Sequence, residues 1–313
     1  MTSGDARADR ARPAPPETRQ PDAASPLEPA EARDPRTLRF LMGLVGRMPP
    51  GARVACLGPL ALVHPGLRRA FEANRGLLEA AGCAVPPARA MARSYVASRW
   101  AVLRILAGRT PEAAVRGLGH LTGALRAGRG ALLVTAHVGC GELGCVGLAK
   151  IGPVHSVAGV QMLGSWTPAL RRRFLRAGLR LHPSRGLRGL ESALRRGEIV
   201  ALQIDGDQGR RRAAAPFLGA PRPLPVGPTW LAARTGACVL PAACVREGSS
   251  WTIHLLPPLP APGTGREGFL RHHRSVVEAV EAMILRWPGQ WVLPSSVAGL
   301  AREPGRRPLP IAT

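Results

Sequence analysis

Residues 131–144 read Ala-Leu-Leu-Val-Thr-Ala-His-Val-Gly-Cys-Gly-Glu-Leu-Gly. An apolar run breaks at His137, crosses Gly139 and Gly141, and reaches Glu142. A short run of this kind, bounded by Gly130 and Gly139, predicts a buried strand over Ala131–Ala136. The strand therefore delivers a titratable base and a carboxylate into the loop that follows it. The same loop spells Gly139-Cys-Gly-Glu-Leu-Gly144, a G-x-G-x-x-G. Two chemistries compete for one turn.

Periodicity on either side sets the fold class. Apolar strand-like runs at Val154–Gln161, Ile199–Ile204, Ala237–Val245 and Trp251–Leu256 alternate with helical patterns at Leu143–Lys150, Trp166–Ala177, Leu187–Arg196, Thr229–Thr235 and Arg266–Arg286. Gly197 sits where a helix-terminating glycine belongs, and Pro288 follows the last helix. Strands alternating with helices predict an α/β fold, a mixed and mostly parallel sheet flanked by helices. Upstream, Thr37–Met48, Leu67–Ala81, Pro86–Leu106 and Pro111–Ala127 read as helices, the last with Thr110 as N-cap. The expected organisation is a disordered tail over 1–36, a helical preface over 37–127, an α/β catalytic core over 128–303 and a loose Pro-rich tail over 304–313.

Charge narrows the partners. The 313 residues carry a formal net charge of +23, with Lys150 the only lysine among 43 basic residues. Residues 1–36 hold six Arg against seven acids, and the remainder 37 basic against 13 acidic residues. The tail is near neutral and the rest strongly basic, a surface suited to anions: nucleic acid, anionic lipid or phosphorylated substrates. With one Tyr and five Phe, stacking platforms for nucleic acid are scarce. No apolar h-region marks a signal peptide, and no uncharged run approaches the ~18–20 residues that cross a bilayer. Any membrane association is expected to be peripheral.

The six cysteines, Cys56, Cys83, Cys140, Cys145, Cys238 and Cys244, form no C-x-x-C pair. His137, Cys140 and Cys145 lack a second paired knuckle, so no metal is expected. Reduced thiols fit a cytoplasmic compartment.

A dinucleotide site in the key loop requires an acid about 20 residues downstream to hold the ribose. No Asp or Glu lies between Glu142 and Glu191, although an arginine could serve a phosphorylated ribose. Glu142 would also repel a pyrophosphate at the helix N-terminus. The alternative uses His137 as a general base held by Glu142 across the turn. No G-x-S-x-G occurs, so the activated hydroxyl would belong to the substrate.

His137-Val-Gly-Cys-Gly-Glu142 resembles the H-x4-(D/E) motif of the lysophospholipid acyltransferase superfamily, and more narrowly its branch of bacterial lipid A late acyltransferases. Three further blocks resemble that branch in order: Gly197–Gly209, containing Asp205-Gly-Asp207; Pro216–Gly219 with Val226–Ala237; and Trp287-Pro-Gly-Gln-Trp291. Cys140-Gly141 stands where Asn-Trp is usual, and Trp287 where His is common.

The resemblance implies transfer of a fatty acyl group from acyl carrier protein or acyl-CoA to a hydroxyl of a membrane lipid or glycolipid, without metal or bound cofactor. His137 would be the base and Glu142 its orienting carboxylate. Asp205, Asp207, Gly139, Gly141, Phe217, Gly219 and Gly227 would support the site or hold the acceptor. Arg171, Arg172, Arg173, Arg210, Arg211 and Arg212 would receive phosphates of the donor or headgroup. The protein would work on the cytoplasmic face of the inner membrane, against its anionic surface. A nucleotide-binding oxidoreductase and a non-catalytic lipid-binding module remain the alternatives.

Overall fold

In a computed structural model the chain is described over residues 64–158, 167–183, 187–206 and 211–291, with single helical positions at 36, 40, 43 and 47. The expected tails, and Thr37–Met48 apart from those positions, lie outside the described residues.

The first elements described in full are α1 (Pro65–Ala80) and α2 (Ala88–Leu106). His64 caps α1 by accepting the Leu67 amide at 3.4 Å, and a proline starts its first turn. Then follow β1 (Ala113–Arg116), α3 (Leu118–Arg126), β2 (Ala131–Thr135), α4 (Gly141–Leu148), β3 (Val154–Ala158), α5 (Thr167–Arg176), β4 (Leu179–Pro183), α6 (Arg188–Arg195) and β5 (Ile199–Gln203). The hairpin β6 (Arg212–Phe217) and β7 (Ala220–Pro225) precedes α7 (Gly227–Thr235), β8 (Cys238–Glu247), β9 (Ser250–Leu255), α8 (Gly265–Arg286) and a 3-10 turn at Pro288–Gln290.

One seven-stranded sheet has the order β1-β9-β8-β2-β5-β3-β4. From β8 to β4 the strands are parallel; β9 runs against β8 and carries β1 parallel to itself. The mixed, mostly parallel α/β fold with helices ahead of it is as the sequence predicts. β2 sits near the centre and is buried on both faces, which explains its unbroken apolar run. Leu132 and Val134 pack with α6, α7 and α8 through residues such as Leu190, Leu231 and Val280. Ala131 and Leu133 face the opposite layer of α2, α3, α4 and α5, with Ile105, Leu121, Leu143 and Phe174. Phe71, Met91 and Val96 join α1 to α2.

Two expectations are corrected. Pro111–Ala127 is not one helix: Ala113–Arg116 forms β1, at the sheet edge beside β9. Gly117 breaks it at φ 77°, where a Cβ would stand 2.0 Å from the Leu255 carbonyl, and α3 starts only afterwards. The region expected to be purely helical therefore contributes a strand to the sheet. β4 and the β6–β7 hairpin add strands beyond those the sequence pattern predicts.

Candidate active site

β2 and β5 are neighbours in parallel register, with Thr135 opposite Gln203. Two residues beyond each strand stand His137 and Asp205, so the sheet itself brings them together at its carboxyl edge. His137 Nδ1 lies 2.8 Å from Asp205 Oδ1, and the His137 amide donates to Asp205 Oδ2 at 2.8 Å. Trp291 Nε1 donates to the same Oδ2 at 2.8 Å. Asp205 is wholly buried. Burial pushes its carboxyl up, but the His137 ring, the amide and the indole outweigh that and hold it below the usual carboxylate range. An ionised carboxylate only accepts, so Nδ1 carries the imidazole proton and Nε2 presents a lone pair. The His137 side chain keeps 35% of its surface open, and no described group hydrogen-bonds Nε2. Burial pulls the imidazole down; the Asp205 charge and hydrogen bond reverse this and raise it. The arrangement is a held base facing outward, able to take a proton from a bound hydroxyl.

The carboxylate holding His137 is thus Asp205, which corrects the expectation for Glu142. Glu142 instead receives Arg99 of α2, Nη1 to Oε1 at 3.1 Å and Nη2 to Oε2 at 3.4 Å. Burial pushes the Glu142 carboxyl up, and the guanidinium more than offsets this and lowers it. Full burial of Asp205 also removes it from contact with an acceptor.

Gly139 makes the turn. Its φ is 67°, and a Cβ would stand 2.0 Å from the Cys244 carbonyl oxygen. Its amide donates to Gln290 O at 2.9 Å, and the Cys140 amide to Cys244 O at 2.8 Å. Gln290 closes this side by pairing both ways with the Arg246 backbone, at 2.8 and 2.9 Å. A Cβ at Gly141 would meet Gln203 at 3.3 Å, and one at Gly144 would meet Cys244 Cβ at 3.0 Å. The glycines of the G-x-G-x-x-G stretch are filled against by the protein's own sheet. Burial, then Glu142, pushes the Cys140 thiol up to about 12. Among the described residues no group of three His, Cys, Asp or Glu side chains is placed to hold a metal ion.

The other expected site residues scatter. Phe217 is buried in the core, and Gly219 packs where a Cβ would stand 2.3 Å from the Ala80 carbonyl oxygen. Leu218 between them turns at φ 49° and donates its amide to Glu281 at 2.9 Å, tying the hairpin to α8. Phe217 thus packs inside the protein, while Gly219 lies exposed at the turn of the hairpin, its backbone pressed against the end of α1. Gly227 starts α7, its nearest non-local side chain being Leu187. Arg171, Arg172 and Arg173 lie half-buried on α5, and Arg173 donates to the Leu106 carbonyl at the end of α2. Arg212 reaches the Pro223 carbonyl at 3.4 Å, and Arg211 is exposed beside it. Arg173 and Arg212 each give one guanidinium donor to the protein's own backbone. Asp207 and Arg210 lie outside the described residues.

Arg99 and Trp291 were not expected. Trp291 stood in the closing block without a role; Arg99 carried no signal beyond its place on a helix.

Residues 88–293 match the family model described as bacterial lipid A biosynthesis acyltransferase. A protein named phosphatidylinositol mannoside acyltransferase from Mycobacterium tuberculosis (strain ATCC 25618 / H37Rv) is 30% identical over 154 residues, 46% of this chain and 48% of the relative. Its namesake from Mycolicibacterium smegmatis is 29% identical over 196 residues, 59% of this chain and 62% of the relative. The chain spans about half the length of the first of these relatives.

Proposed function

We propose, from the premise that this chain belongs to the bacterial lipid A biosynthesis acyltransferase family, that it moves a fatty acyl group from a thioester donor to a hydroxyl of a membrane glycolipid. The observation that carries the reading is the outward-facing His137 held through Nδ1 by buried Asp205. His137 Nε2 takes the proton of the acceptor hydroxyl as its oxygen bonds to the thioester carbonyl carbon. The C–S bond then breaks, and the imidazolium returns its proton to the departing thiolate. Asp205 keeps the tautomer fixed and stabilises the imidazolium as it forms. Glu142 stands near the ring with its charge paired to Arg99. No residue of the chain need be acylated.

The donor is acyl carrier protein or coenzyme A carrying the acyl chain, and the basic surface favours either anionic partner. The relatives' names favour a mannosylated phosphoinositide as the acceptor class. Among the described residues no helix is long and apolar enough to cross a membrane. Peripheral docking on the anionic cytoplasmic leaflet is the arrangement that fits the charge.

The test is a direct assay. Purified protein is given palmitoyl-CoA or palmitoyl-acyl carrier protein with phosphatidylinositol mannosides in mixed micelles. Thiol release and the acylated lipid are measured together. Stoichiometric thiol and product with wild type, and neither with His137→Ala, support the reading. Equal turnover by a folded His137→Ala protein overturns it.

A further inference from the structure

Arg99 and Glu142 meet fork to fork, from two elements that share no local sequence. Nη2 also donates to Ser98 Oγ at 3.2 Å, and the guanidinium carbon stands 5.8 Å from the centre of the Tyr95 ring. The pair is only partly covered, at 38% and 31% side-chain exposure. Glu142 lies in the first turn of α4, directly beyond the loop that carries His137. The groups whose charge reaches His137 are Asp205 after β5, Glu142 on α4 and Arg99 on α2. Cys140 at the α4 N-cap sits against Glu142, its Sγ 3.9 Å from Oε2 and 3.6 Å from the Ser98 carbonyl. Trp291 completes the surround as a neutral donor to Asp205. Without Arg99 the base would face two carboxylates with no cation.

We propose that Arg99 is a positioning residue for the transfer reaction: it locks the Glu142 carboxylate in place and balances its charge, leaving His137 beside a neutral pair and one dedicated carboxylate. The inference rests on the acyl-transfer reading only in its kinetic consequence; the charge relation holds in the resting protein. The two partners act on His137 with opposite sign, Glu142 raising the imidazole and Arg99 lowering it. A residue that merely tied α2 to α4 would have no such signed effect.

The experiment titrates His137 by NMR of histidine labelled with 13C at Cε1, its signal assigned by its loss in His137→Asn. Arg99→Gln moves the His137 midpoint upward and Glu142→Gln moves it downward. Arg99→Gln/Glu142→Gln removes both charges and lands near wild type. Arg99→Lys keeps the charge but loses the fork, so its midpoint stays while kcat falls. In acyl transfer, the acid limb of kcat/KM follows the same order. The double variant also guards against misfolding of Arg99→Gln, because it leaves no lone charge behind. An unmoved midpoint in folded Arg99→Gln, or a double variant displaced as far as a single one, overturns the proposal. Midpoints that shift as stated in the variants, with a wild-type protein that transfers no acyl group, would sink the acyl-transfer reading and leave the pairing standing.

Discussion

Trp291 Nε1 donates to Asp205 Oδ2 at 2.8 Å across 86 positions of sequence, onto the oxygen that already accepts the His137 amide. The segment after α8 is thereby wired to the base. Asn74 on α1, itself buried, grips the same residue, its Nδ2 donating to Trp291 O at 3.1 Å. Val138 completes the clamp through an antiparallel bridge to Trp291.

Trp291→Phe keeps most of the buried ring and removes one hydrogen bond to a carboxylate. Such bonds contribute about 1.5–3 kcal/mol. The expected result is a lower melting temperature with a fall in kcat, because Asp205 becomes freer to turn. A variant with wild-type kcat and melting temperature would contradict the clamp.

Asp205→Asn places an amide where two N–H donors converge, so either the ring or the donors lose their partner. Loss of the fixed tautomer is expected to lower kcat by about 10³–10⁴-fold. Glu142→Gln is expected to be milder, since it leaves the bond to Nδ1 intact. The two kcat values, measured on proteins of matched circular dichroism, decide which carboxylate holds the base.

Gly139 and Gly82 share nearly the same backbone angle, φ 67° and 68°. Their surroundings differ: a Cβ at Gly82 would meet nothing within 4 Å, while one at Gly139 would strike Cys244 O at 2.0 Å. Gly82→Ala is expected to cost the backbone penalty alone, about 1–2 kcal/mol. Gly139→Ala adds a clash with a rigid strand and is expected to abolish the native loop. Thermal melts of the pair separate strain from collision; equal losses would mean the loop yields.

Acid should weaken the fold through its buried histidines. Burial, then the neighbouring His273, pulls His272 down to about 4. In the unfolded chain its pKa is about 6.5. Between those values the unfolded chain binds a proton that the fold refuses. The contribution is therefore intact above about pH 6.5 and is lost as pH falls toward 4, at up to about 1.4 kcal/mol per pH unit. His272→Gln is expected to flatten the unfolding free energy against pH between 6.5 and 4.5. An unchanged slope in urea titrations would rule this group out.

Membrane binding is expected to be electrostatic. Residues beyond 36 carry 37 basic against 13 acidic side chains. Basic groups near an anionic surface contribute about 1 kcal/mol each and are screened by salt. Flotation with phosphatidylserine-containing vesicles should show binding that falls as salt rises, with much less on neutral vesicles. Phe40, 73% exposed, supplies an apolar contact, so Phe40→Ser should weaken binding further. Release only by detergent would point to a buried anchor instead.

What the sequence could convey was what its local pattern encodes. β2 and His137 were legible because a strand buried on both faces must be apolar throughout and must stop where the base begins. β1 was not: four residues, two of them alanine, take strand form only because β9 lies alongside. The β6–β7 hairpin is rich in proline, arginine and alanine and offers no apolar stripe to read. The partner of His137 is hidden for the same kind of reason. Spacing along the chain pointed to Glu142, five residues on, whereas the register of β2 against β5 delivers Asp205. Arg99 could be seen only once α2 was docked over α4.

The clamp at Trp291 also sets when the site is completed during biosynthesis. His137 and Asp205 leave the ribosome well before residues 288–291, and until those residues emerge neither Trp291 nor Gln290 can reach the loop. A nascent chain extending no further than α8 therefore holds an imidazole and a carboxylate without the indole that aims them or the Gln290 carbonyl that anchors Gly139. The base can gain its full set of hydrogen bonds only after the residues of every described strand have been synthesised, so competence toward a reactive thioester is expected to follow them.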